Sequence, residues 1–185
     1  STLVGVPLTL RYDATNDLLN PTSGFRTDLL LTPFQQIGGA DSNFTVARIT
    51  NSAYYDFRGD GWYVAAGRLS VGSIFGSSTA DIPADKRFYA GGGGSIRGYG
   101  YQDVGPRDAF GDPAGGRSLL EVGAEMRVKV TDTIGIVPFI DGGNVYESST
   151  LDFSEELRWG AGIGARYYTG FGPLRLDVAV PLNKQ

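Results

Sequence analysis

The stretch Ser118–Val130 has the cleanest alternation in the chain. Leu120, Val122, Ala124, Met126, Val128 and Val130 fall on one face of an extended chain, and Glu121, Gly123, Glu125, Arg127 and Lys129 fall on the other. A period of two predicts a β-strand, because successive side chains of a strand point to opposite faces. The pattern recurs along the chain. Val4–Ala14 sets Val6, Leu8, Leu10 and Tyr12 against Thr9, Arg11 and Asp13, and Phe25–Thr32 sets Phe25, Thr27, Leu29 and Leu31 against Arg26, Asp28 and Leu30. Gly61–Gly72 places Tyr63, Ala65, Leu69 and Val71 opposite Arg68 and Ser70. Ile134–Tyr146 places Ile134, Ile136, Pro138 and Ile140 opposite Val137, Phe139, Asp141 and Gly143. In Leu157–Thr169 the second face is almost bare: Trp159, Ala161, Ile163, Ala165 and Tyr167 oppose Gly160, Gly162, Gly164 and Arg166. Pro173–Leu182 closes the series with Leu174, Leu176, Val178 and Val180 against Arg175, Asp177 and Ala179. Phe44–Phe57 reads as a further strand whose faces the pattern does not assign. The fold class is therefore all-β, with about eight antiparallel strands in one domain spanning residues 1–185.

The connections alternate in length. Arg58–Gly61, Thr131–Thr133 and Gly170–Gly172 are short, whereas Gln35–Asn43, Ser73–Arg117 and Glu147–Glu156 are long. Ala14–Ser23 is intermediate and falls where a short turn is expected. Short turns at one end and long loops at the other are the habit of outer-membrane barrels. Tyr12, Phe25, Tyr63, Tyr146, Trp159 and Tyr167 lie near strand ends, where an interfacial aromatic girdle belongs. A soluble β-sandwich or lipocalin-like barrel also alternates, but its outer face should carry many charges, and here the second faces carry glycine, serine and few charges. The pattern favours an antiparallel transmembrane β-barrel. No run of 18 apolar residues supplies a transmembrane helix, and Ser1–Leu10 lacks the basic start and apolar centre of a signal peptide. The mean hydropathy of −0.12 suits a barrel whose strands are half polar. The Arg58–Asp60 tripeptide, an integrin-recognition sequence elsewhere, reads here as a hairpin turn.

Composition narrows the chemistry. The chain has neither cysteine nor histidine, so Ser-His catalysis and Cys- or His-based metal sites are excluded, and no cofactor is expected. A net charge of −4 argues against a nucleic-acid partner. A structureless connection as long as the one running roughly from Ser73 to Arg117 is improbable without a function. At its centre, Gly91–Tyr101 surrounds Arg97 with glycine, and Arg97 is the only charge between Arg87 and Asp103. Two placements are open to it: water at a loop tip, or the barrel lumen with the loop folded back. In the lumen a buried guanidinium must pair. Alternation points Glu121, Glu125 and Asp141 inward, and Glu121 and Asp141 lie near the strand ends that lead into long loops. A small outer-membrane enzyme using Glu121 and Asp141 as a carboxylate pair, or an adhesin, is a rival reading.

Several stretches resemble one family. Ser95-Ile96-Arg97-Gly98-Tyr99 is similar to the Arg-Gly-Phe/Tyr loop signature of the BamA/TamA superfamily, outer-membrane barrels that insert other barrels or secrete polypeptides. Phe88–Gly92, the Phe139–Tyr146 strand, Ser118–Arg127 and the Tyr12–Arg26 hairpin resemble the same family in the same order, and the TamA branch looks nearest. The resemblance implies a loop tucked into the lumen, with Arg97 paired to Asp141 and Glu121. It implies a parent barrel of about sixteen strands, of which this chain is a C-terminal part lacking the final strand and the periplasmic POTRA domains. It also implies the bacterial outer membrane, contact with its lipids, client outer-membrane or secreted proteins, a periplasmic partner subunit, and no catalysis. A two-partner secretion pore of the same superfamily is the alternative.

Overall fold

The computed structural model describes residues 2–38, 43–170 and 172–183. Nine strands follow in order: β1 (Thr2–Gly5), β2 (Leu8–Asp13), β3 (Gly24–Ile37), β4 (Asn43–Asp56), β5 (Tyr63–Phe75), β6 (Ser118–Lys129), β7 (Ile134–Tyr146), β8 (Arg158–Thr169) and β9 (Gly172–Pro181). Every pairing is antiparallel. β1 and β2 both pair with β3, and from β3 onward each strand pairs with the next. Gly5 lies opposite Phe34 and Leu8 opposite Leu31, so the register runs unbroken from β1 to β2. They are two halves of one strand interrupted at Pro7, which has no N–H to donate to the ladder. The wall therefore has eight positions, as the alternation predicts. Among the described residues β9 does not pair with β1 or β2: the sheet is open, an arc of a barrel rather than a closed one.

The two faces invert the soluble rule. Leu10, Leu176 and Val178 are 67%, 71% and 66% exposed, while Glu121, Asp141 and Arg166 are only 2–4% exposed. Large aliphatic side chains point out and charges point in, as a lipid-facing wall requires and a sandwich forbids. β4 had no legible faces because a polar residue, Asn51, stands on its outer side. There it is opposite Thr27, whose hydroxyl donates to Asn51 Oδ1 at 2.6 Å.

Two connections differ from the sequence reading. Gln35–Asn43 is not a loop throughout: Gln35, Gln36 and Ile37 extend β3, and Asn43 opens β4, with Gln35 opposite Asn43 in the ladder. The intermediate connection at 14–23 is long because it folds under the sheet. The Pro21 carbonyl there accepts a hydrogen bond from Arg127 Nη1 at 3.2 Å, and Asn16 Oδ1 accepts from the backbone N–H groups of Thr22 and Ser23.

Candidate functional site

The long connection from β5 to β6 is built rather than structureless. Two short 3-10 turns, Thr79–Asp81 and Ala84–Lys86, open it. Isolated bridges then pair Phe88 with Gly116, Ala90 with Val104 and Arg107 with Pro113. Loop residues Ile82, Phe88, Ala90, Ile96 and Val104 pack with wall residues Phe44, Ile74, Leu119 and Val145 into one buried apolar cluster. The loop thus brings its own core into a lumen that alternation alone would predict to be polar. Arg87 ties it internally, donating from Nε to the Ile82 carbonyl at 2.9 Å and from Nη1 to the Ala114 carbonyl at 3.0 Å.

Beneath that cluster lies an ionic anchor. Arg97 Nε and Nη2 donate to the two carboxylate oxygens of Asp141 at 2.6 and 3.0 Å, the forked geometry for which a guanidinium is suited. Its backbone N–H reaches the same carboxylate at 3.2 Å. Nη1 meets Asp177 Oδ2 and Glu125 Oε1, each at 2.9 Å. The guanidinium carbon sits 3.4 Å from the Phe139 ring centroid, so the ring faces the cation. Burial works against the charge on Arg97, but hydrogen bonding and charge from Asp141, then Asp177 and Glu125, outweigh it and hold the guanidinium above its ordinary pKa.

β8 makes room for this. Gly160 stands opposite Asp141, and a Cβ there would lie 2.0 Å from the Arg97 carbonyl oxygen. The bare face of β8 is a track on which the loop backbone lies flat. Gly98 continues along it with φ +101°, and a Cβ at that position would meet the Val180 carbonyl at 2.8 Å. Tyr99 ends the motif: its hydroxyl lies 3.1 Å from the Trp159 carbonyl and also meets Asn183. Burial raises its phenol pKa above the usual value. Ser95 accepts from the Gly91 N–H at 2.9 Å and donates to Glu121.

Glu121 is the correction. Alternation turns it inward and the resemblance implies that it meets Arg97, yet it holds Arg48 Nη2 at 2.8 Å and the Ser95 hydroxyl. The register explains why. Asp141 stands opposite Gly123, midway between Glu121 and Glu125, and the loop descends the wall with Ser95 at the Glu121 level. The arginine two residues further on therefore reaches Glu125. Asp177 carries the right signal, an inward-facing acid in an alternating strand, but its meeting with Arg97 depends on the glycines of β8 that lie between.

An arginine loop clamped to the inner wall of an open β-arc can be set beside known proteins. The profile of the Omp85 superfamily domain matches residues 1–185. The chain belongs to the Omp85 superfamily. Among curated Omp85 relatives, the outer membrane protein assembly factor BamA of Nitratidesulfovibrio vulgaris is 32% identical over 182 residues, covering 93% of this chain and 22% of the relative. The BamA of Neisseria meningitidis serogroup B is 28% identical over 152 residues, covering 64% of this chain and 19% of the relative. The chain spans about a fifth of the length of both. The crystal structure of BamA from Haemophilus ducreyi lacking POTRA domains 1–3 superposes with a TM-score of 0.81 at 20% identity, over 98% of this chain and 39% of that one, which shows a shared fold. As an Omp85 member with this architecture, the chain is part of a bacterial outer-membrane β-barrel.

Proposed function

We propose that this chain is the loop-bearing arc of an outer-membrane protein assembly barrel, and that its motif Ser95–Tyr99 holds the loop in the lumen while the parent inserts client proteins. The observation that carries the reading is the attachment of Arg97 to Asp141, Asp177 and Glu125 on three separate strands of the wall. One loop residue thereby fixes the relative positions of β6, β7 and β9. Family membership and the names of the two relatives support assembly in general. Both relatives are named BamA, so they favour a BamA-like parent and lend no support to the TamA branch. The partners that follow are outer-membrane lipids on the apolar face, client barrels, and a periplasmic subunit bound by parts of the parent outside this chain. No catalytic role is proposed for Glu121 or Asp141, since their hydrogen-bonding capacity is taken by Arg48, Ser95 and Arg97.

The test uses the full-length parent reconstituted in liposomes with an unfolded client barrel. Acceleration of client insertion over empty liposomes supports the reading. A parent that leaves insertion unchanged but passes an unfolded secreted polypeptide across the bilayer would replace it with the secretion-pore alternative.

A further inference from the structure

The inner wall beneath the loop forms a half-open cavity of about 400 Å³ lined by Arg68, Arg127 and Arg175, with Tyr54, Glu125 and Asp177 among the remaining residues. Its charges do not balance. Arg97, Arg166, Arg127, Arg68 and Arg175 stand in or beside it, against the carboxylates of Asp141, Glu125 and Asp177. All three acids are engaged: Asp141 by Arg97, Glu125 by Arg97 and Arg127, Asp177 by Arg97 and Arg166. Arg68 donates to the Gly94 and Ser95 carbonyls at 3.2 and 2.9 Å, contacts that leave its charge uncompensated. Arg175 has no acid within salt-bridge distance among the described residues.

The ladder makes the surplus more pointed. Arg166 and Arg175 are directly opposed across β8 and β9. Like charges at directly opposed positions destabilise a sheet; Arg166 is only 4% exposed and is held by Asp177, while Arg175 is exposed on the inner face without such a partner among the described residues. Guanidinium groups lining one cavity offer the forked donors suited to an oxyanion. We propose that this cavity is an anion site, built from Arg175, Arg127 and Arg68, that holds a small phosphate- or carboxylate-bearing group. The site adjoins the Arg97 anchor, sharing Glu125 with it through Arg127, and it stands whether or not the parent inserts proteins.

The experiment titrates inorganic phosphate into the full-length parent in detergent by calorimetry, with ionic strength held constant by chloride, and repeats it with Arg175→Gln and with Lys86→Gln on the loop. Heat-modifiable gel mobility gives the unfolding temperature of each with and without phosphate. Saturable phosphate binding is expected, weakened about tenfold or more by Arg175→Gln, the loss of one charge-assisted pair, and unaffected by Lys86→Gln. Because Arg175 opposes Arg166, Arg175→Gln should unfold no lower than wild type without phosphate and should lose the phosphate-dependent rise. Acetate displacing phosphate would extend the site to carboxylates, and failure to displace would restrict it to phosphates; either supports the site. Two results overturn it: no phosphate binding beyond that of chloride, or an Arg175→Gln parent that unfolds lower without phosphate, which would show that an acid elsewhere in the parent already pairs with Arg175.

Discussion

Arg97 is the residue on which the loop's position turns, and its neighbours set the size of the effect. Asp141 is 4% exposed at its side chain and Arg97 13%. Removing one member of a buried pair leaves the other uncompensated, at about 3–5 kcal/mol. Arg97→Ala should therefore release the inner stretch of the loop, about residues 91–103, while the strand ladders persist. Hydrogen exchange read by mass spectrometry on the parent should show faster exchange there and unchanged exchange in β6 and β7. Arg97→Lys should recover only part of the protection, since an ammonium cannot fork to Asp141 while reaching Asp177. Gly98→Ala attacks the same contact from the backbone. It combines a strained positive φ with a Cβ 2.8 Å from the Val180 carbonyl, so it should displace the motif from β9 and match Arg97→Ala in exchange while leaving every charge in place.

At the scale of the element, the loop has two fastenings that meet at Ile96, a member of the apolar cluster next to Arg97. The apolar cluster grips its outer half: the Phe88 ring covers Gly72 of β5 so closely that a Cβ there would lie 2.5 Å from the ring. Phe88→Ala should cost about 3–5 kcal/mol locally through lost burial and the cavity it leaves. It should speed exchange around residues 82–90 and 104 more than over 95–99, where the Arg97 contacts remain. Combined with Arg97→Ala it should free the whole loop to proteolysis, which neither change alone does. Much of this element was legible beforehand. The alternation gives the strands, the inward register of Glu125, Asp141 and Asp177, and the glycine face of β8. The partition of acids between Arg48 and Arg97 was not, because both Glu121 and Glu125 face inward and only the loop's path decides between them. The apolar plug was also hidden. Ile82, Phe88, Ile96 and Val104 show no periodicity, since they are brought together by isolated bridges and not by a regular element.

For the whole molecule, the inversion of apolar and charged faces makes the arc part of a membrane wall. Cysteine is absent from the chain, so single cysteines report cleanly. In the parent, those at Leu174, Leu176 and Val178 should react with a lipid-soluble maleimide, and those at Arg127 and Asp177 should not. The reverse pattern would mean a soluble sandwich. The open edges at β9 and at β1–β2 present unpaired backbone groups that lipid does not tolerate, so the arc should persist in a bilayer only with further strands on both edges. The central claim, that the loop is held inside this wall by Arg97 on Asp141, is tested most directly by exchanging the charges. Hydrogen exchange over residues 91–103 is measured in the parent carrying Arg97→Asp, Asp141→Arg, or both. Each single change should abolish protection, by placing three acids beside a fourth or two arginines together, and the double exchange should restore a substantial part of it. Single variants as protected as the wild type, or a double variant no better than either single, would contradict the account.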